Sequence, residues 1–125
     1  MRILLVHASY QQRGGEDGVF EEERDLLQRH GHDTIVHHVH NDAVKDLGRL
    51  ALAKRTIWSS EAYRDIRHQI QQHRPEVAHF HNTLPLISPS GYYAARAEGV
   101  AVVQTLHNYR LICPQATLFN RKSVV

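Results

Sequence analysis

Cysteine is nearly absent: Cys113 is the only one in 125 residues. That excludes an internal disulfide framework and suits a reducing compartment, and with Pro114 next to it and no second thiol, Cys113 is no candidate nucleophile or redox centre. Long hydrophobic runs are missing too. The longest near the start, Ile3 to Val6, is far short of the ~20 residues of a membrane span and of the ~7–15 of a signal-peptide core. The chain therefore reads as cytoplasmic. Excess charge of one sign is also lacking, since 15 Lys and Arg against 13 Asp and Glu leave +2. No nucleic-acid partner is expected, although 11 histidines add positive charge on mild acidification. Seven glycines and four prolines are too few for a low-complexity or fibrous chain. No serine nucleophile elbow, P-loop or paired-carboxylate constellation is present.

What is there is an ordinary globular composition, 42% hydrophobic and 22% charged, and a length that fits one domain, 1–125. Arg2 to His7 (RILLVH) is a short apolar run of the kind buried on both faces of a parallel sheet. A polar loop, Ala8 to Gly15, follows. Then the period changes to that of a helix, with Val19, Phe20, Leu26, Leu27 and His30 on one stripe and Gly31 as its stop. Asp33 to His40 reads as a second strand. Asn41 to Trp58 is again helical, with Gly48 as an interior weakness. Its apolar side holds Ala43, Val44, Leu47, Leu50, Ala51, Ile57 and Trp58. Ser59 or Ser60 caps a further helix that Arg74-Pro75 ends. Glu76 to His81 is a third buried run, Ser88-Pro89 opens a helix that stops at Gly99, and Val100 to Leu106 is a fourth run. Residues after His107 show no clear period. Strands alternating with amphipathic helices predict an α/β fold, a doubly wound parallel sheet with helices on both faces.

In such sheets ligands bind beyond the carboxyl ends of the strands, where strand order reverses. With the order second, first, third, fourth, three segments converge there: Gly14-Gly15, His79-x-His81-Asn82, and Thr105-Leu106-His107-Asn108. Gly14 and Gly15 open the first helix, so their amides and the positive end of its dipole suit a phosphate. A glycine pair also makes a plain tight turn, and the fuller G-x-G-x-x-G pattern is missing. Glu16 and Asp17 favour the dipole but repel a phosphate, which keeps any anion at the glycine amides. His79 and His81 share one face of their strand at a spacing that fits two metal ligands. No third ligand accompanies them at ligand spacing, nor does one accompany His37-His38-x-His40. The histidines are therefore expected to be hydrogen-bonded structural or polar site residues, with no metal. His107, just past a strand end, suits a polar contact to substrate. Glu23 interrupts the first helix's apolar stripe, where a carboxylate needs solvent or partners. It either snorkels at the surface or reaches a loop amide and fixes the Gly14-Gly15 turn. The 41–58 segment, with Lys45, Arg49, Lys54 and Arg55 beside apolar residues, fits either a core-facing helix or peripheral contact with an anionic membrane.

Taken in order, several of these pieces resemble the N-terminal part of a family 4 glycosyltransferase of the GT-B fold. They are RILLVH, Arg13-Gly14-Gly15-Glu16-Asp17, the helix ending in Gly31-His32, EVAHFH with Asn82-Thr83-Leu84-Pro85-Leu86, Ser88-Pro89-Ser90, and VVQTLHNYRLICP. The resemblance implies a Rossmann-like, acceptor-side half of a two-domain retaining transferase that moves a sugar from a nucleotide-sugar donor to a glycan or lipid-linked acceptor, as in polysaccharide biosynthesis. Gly14 and Gly15 would approach the donor diphosphate, and His107 would lie near the transferred sugar as the candidate catalytic residue. His81, Asn82, Asn108 and Glu16 would belong to the cleft or acceptor side. The resemblance implies no cofactor and no metal. The paired glutamates of the family's donor-binding domain have no counterpart in these residues, so a truncated chain, inactive alone, is expected. An unfinished sheet edge would allow self-association. Three alternatives stay open: a non-catalytic flavodoxin-like binding module, although the loop after the first strand lacks that fold's Ser/Thr-rich phosphate site, a GT-B nucleotide-sugar epimerase, and a histidine-based metal-binding protein that zinc would stabilise.

Overall fold

The computed structural model describes residues 1–9, 14–40, 44, 47–110, 112–113, 118–120 and 123–124. Its main sheet has four parallel strands in the order β2-β1-β3-β4: β1 Arg2–Ser9, β2 Asp33–His40, β3 Val77–Phe80 and β4 Ala101–Gln104. The strand order is the one predicted, and the reversal lies between β1 and β3. The crossovers carry α1 (Gly15–Arg29), α2 (Arg49–Ile57), α3 (Ser60–His73) and α4 (Ser90–Ala97). A small antiparallel pair, β5 (Phe119–Asn120) with β6 (Ser123–Val124), follows in the stretch where the sequence shows no period.

Alternation along β1 builds both halves of the core. Leu4, Val6 and Ala8 point to one face and pack with Ala62, Ile66 and Ile70 of α3 and with Ala94 and Ala95 of α4. Ile3 and Leu5 point to the other face, where Phe20 and Leu27 of α1 cover them. The same period sends Ala78 and Phe80 of β3 into the α3–α4 layer. His79 therefore stands on the α1 side.

The N-termini of α3 and α4 are tied together by serines. Ser59 Oγ accepts from the Ala62 amide at 3.2 Å and caps α3, while Ser88 Oγ accepts from the Ser59 amide at 2.9 Å and from the Ser90 amide at 3.2 Å. Ser90 Oγ returns a hydrogen bond to the Ser59 carbonyl at 2.8 Å. The expected Ser88-Pro89 start is thus shifted by one residue. Pro89 takes the cap position, the helix begins at Ser90, and Ser88 sits in the left-handed region at φ 61°.

Three expectations need correction. The helix drawn over 41–58 runs only over Arg49–Ile57, because Gly48 is its cap and not its interior. Residues 41–43 and 45–46 lie outside the described residues. Its apolar side chains are not core-facing either: none is buried, and Leu50 is 88% and Ile57 74% exposed. In α1 the stripe is narrower than its periodicity suggests, since Val19 and Leu26 are exposed. Finally, the fourth run is an edge strand with Val102 and Val103 exposed, not a buried one.

Candidate functional site at the carboxyl end of the sheet

The first turn of α1 is held by Asp17. Its Oδ2 accepts from the Gly14 amide at 2.8 Å and its Oδ1 lies 2.8 Å from His7 Nε2, so one carboxylate fixes the glycine turn and pins α1 to the end of β1. Burial opposes its ionisation, but hydrogen bonds from His7, Gly14 and Ser9 outweigh that and hold the carboxyl below its ordinary value. This is the role considered for Glu23. The signal was in the sequence, an acidic residue three positions after the helix cap.

Glu23 turns instead to β3. Its Oε1 is 3.1 Å from His79 Nδ1 and its Oε2 is 3.6 Å from His81 Nε2. The fold thus supplies the third acidic or imidazole group that spacing alone does not show. Both imidazoles are backed from the far side: His79 Nε2 is 2.8 Å from Thr105 Oγ1, and His81 Nδ1 is 3.1 Å from His107 Nε2. Burial lowers the affinity of His79 for a proton while Glu23 pulls the other way. For His81, burial together with the neighbouring rings of His79, His107 and His7 pushes the pKa down to about 3. His81 is therefore neutral at pH 7. Its Nε2 is buried without a hydrogen-bond partner, and its Nδ1 shares one hydrogen bond with His107 Nε2, whose donor is set by the tautomers of the two rings.

The segments expected to converge do so in part. His81, Asn82, His107 and Asn108 line one cleft with Thr83, Tyr92 and Gln104. Its enclosed volume is about 30 Å³, against roughly 300–1,000 Å³ for a small-molecule pocket, so it forms one wall of a site and not a closed pocket. Gly14, Gly15 and Glu16 do not line it, but Glu16 is joined to it, because Asn108 Nδ2 donates to Glu16 Oε1 at 2.8 Å. Asn82 is chiefly a strand lock. Its Nδ2 donates to the Ala8 carbonyl at 3.0 Å and its own carbonyl accepts from the Ala8 amide. Gln104 and Tyr92 brace the wall: Tyr92 donates to Gln104 Oε1 at 2.7 Å, and Gln104 Nε2 donates to the His81 carbonyl at 2.6 Å. A larger hollow of about 460 Å³, beside Pro75, Glu76 and Gly99, lies at the opposite end of the strands.

The fold class is thus shown: a Rossmann-like α/β layer with a parallel sheet and its switch point between β1 and β3. No helix among the described residues is long and apolar enough to cross a membrane. No protein-family model matches the chain, and no curated protein matches it.

Proposed function

We propose that this chain is the acceptor-side domain of a retaining glycosyltransferase, moving a sugar from a nucleotide-sugar to a glycan or lipid-linked acceptor at the cytoplasmic side, with a second domain binding most of the donor. The observation that carries the reading is the link between the first turn of α1 and the loop after β4: Glu16, next to Gly15, is bonded to Asn108, next to His107. A glycine turn and a strand-end imidazole thus flank one switch-point wall, where α/β folds bind ligands.

Two details support it. A side chain added at Gly14 or Gly15 would meet nothing within 4 Å, and neither residue has positive φ. Packing among the described residues therefore gives no reason for glycine there, whereas close approach of a diphosphate to the Gly15 amide does. The second detail is the orientation of His107. Its Nε2 is held 3.1 Å from His81 Nδ1, so Nδ1 is the ring nitrogen left to contact a sugar hydroxyl or the departing phosphate oxygen. In the mechanism this implies, the glycosidic bond to the diphosphate breaks as the sugar gains oxocarbenium character. The Gly15 amide meets the growing negative charge, the Gly14 amide being engaged by Asp17 Oδ2, and His107 positions the sugar without acting as a base.

The test is an amide-resolved titration of the ¹⁵N-labelled chain with UDP-glucose, GDP-mannose and, for comparison, FMN. Nucleotide-sugars are expected to move the Gly14, Gly15 and Asn108 signals. Preferential binding of FMN, or no movement of those signals at millimolar nucleotide-sugar, would overturn the reading in favour of a different module. Sugar transfer by the pure chain alone would refute its dependence on a second domain.

A further inference from the structure

We infer that Glu23, His79 and His81 form a binding site for one divalent transition-metal ion, of the zinc class, which clamps α1 to the carboxyl end of β3. The inference does not rest on the transferase reading, and its readouts involve no sugar.

Ligand atoms from these three residues lie within 4.8 Å of one another, the one such group of His, Cys, Asp and Glu among the described residues. Metal–nitrogen and metal–oxygen bonds of about 2.0–2.2 Å in a tetrahedron put neighbouring ligands roughly 3.3–3.5 Å apart. The 3.1 Å from Glu23 Oε1 to His79 Nδ1 and the 3.6 Å from Glu23 Oε2 to His81 Nε2 lie either side of that span, one carboxylate oxygen facing each ring. The set, two imidazoles and one carboxylate, is a borderline-soft N/O donor set that favours zinc, cobalt or nickel over magnesium or calcium. Three protein ligands leave a fourth position for water.

The orphan nitrogen carries the argument further. His81 Nε2 belongs to a side chain with no exposed surface, has no hydrogen-bond partner and points at a carboxylate oxygen too far away to bond. Without a proton on Nε2, as metal binding requires, its lone pair and the Glu23 oxygen face one gap 3.6 Å across, and an ion seated there serves both. Both imidazoles also have the backing that metal-bound histidines require: a partner on the other ring nitrogen fixes orientation and tautomer. For His79 that partner is the Thr105 hydroxyl, and for His81 it is the His107 ring. The Glu23 side chain remains 29% exposed, which leaves an entry path for the ion.

The experiment titrates ZnCl₂, and separately CoCl₂, into chelator-stripped protein, following calorimetry, the melting temperature and histidine ring-nitrogen signals. The expected result is a single one-to-one step that raises the melting temperature by mass action, shifts His79 Nδ1 and His81 Nε2, and gives cobalt a four-coordinate visible spectrum. E23Q, close in shape to the native side chain, abolishes the step. T105V weakens it by about 10–100-fold, and H40N leaves it unchanged. No one-to-one step in the wild-type protein, ring shifts at His37, His38 or His40 in place of His79 and His81, or an undiminished step in E23Q would each overturn the inference. The ring-nitrogen signals of the wild-type protein decide the matter even if a variant fails to fold.

Discussion

Asp17 Oδ1 lies 2.8 Å from His7 Nε2, and His7 is 1% exposed. The pair joins the end of the central strand to the first turn of α1, and the second oxygen of the same carboxylate holds the Gly14 amide. D17A removes a helix-cap contact and strips a buried imidazole of its partner. The expected loss is about 2–4 kcal/mol in urea unfolding. Because the Asp17 carboxyl is held below its ordinary value, its contribution is present above the unfolded value, near pH 3.9, and fades as pH falls through the folded one. The gap between wild type and D17A should therefore narrow in strong acid. A constant gap from pH 7 to pH 2 would remove the ionised carboxylate from the account.

Acid should also act through buried histidines. Burial lowers the pKa of His37, with Asp65 opposing, and burial with three neighbouring rings takes His81 to about 3. The folded state binds these protons less readily than the unfolded chain. Stability is therefore complete above about pH 6.5 and declines as pH drops below it, by up to about 1.4 kcal/mol per pH unit for each such histidine. Urea midpoints between pH 7.5 and pH 4.5, measured with chelator present, should fall. H37Q should flatten the slope. A flat profile in the wild-type protein would contradict the half-burial of His37 and the burial of His81.

Ser88 serves two amides with one hydroxyl and lies at φ 61°. S88A leaves the Ser59 and Ser90 amides without that acceptor in a buried site, with an expected loss of about 1–3 kcal/mol. S88G loses the same bonds but relieves the left-handed strain, so its loss should be the smaller of the two. The order of their melting temperatures checks both halves of the argument.

Gly91 is the tightest glycine in the molecule's described part. A methyl group there would approach Phe80 at 2.9 Å, Ile87 at 3.0 Å and Ile66 at 3.1 Å. The overpacking cost of about 1–3 kcal/mol should exceed the ~1 kcal/mol that alanine gains in helix propensity. G91A is therefore expected to destabilise, as read by its urea midpoint, and a more stable G91A would mean that α4 can back away from β3.

The sheet was legible because its signal is local. Apolar runs such as Ile3–Val6 and alternation at His79-x-His81 set strand and face without reference to partners, whereas the order was an assumption of the doubly wound pattern. The site was legible only as far as position goes: the strand-end rule singled out His81, His107 and Asn108, which do share a wall. Partner choice was not. Glu23 and Asp17 sit six residues apart on one helix, and which of them reaches the glycine turn and which reaches β3 depends on the packing of α1 over Ile3 and Leu5. The serine knot between Ser59 and Ser88, 29 positions apart, leaves no periodic trace. The α2 error has the same root, because an apolar stripe records what a helix could bury, not whether a surface is there to receive it.

With no buried side chain, α2 is anchored by its own backbone, by the Arg55–Glu61 ion pair to α3 and by its covalent continuation into Ser59. Its amides should then exchange with deuterium through local opening, at rates set by a shallow free-energy step, while those of α3, seated through Ile66 and Ile70, wait for global unfolding. The helix α2 is thus built as a surface appendage that can loosen and re-form while the sheet stays intact.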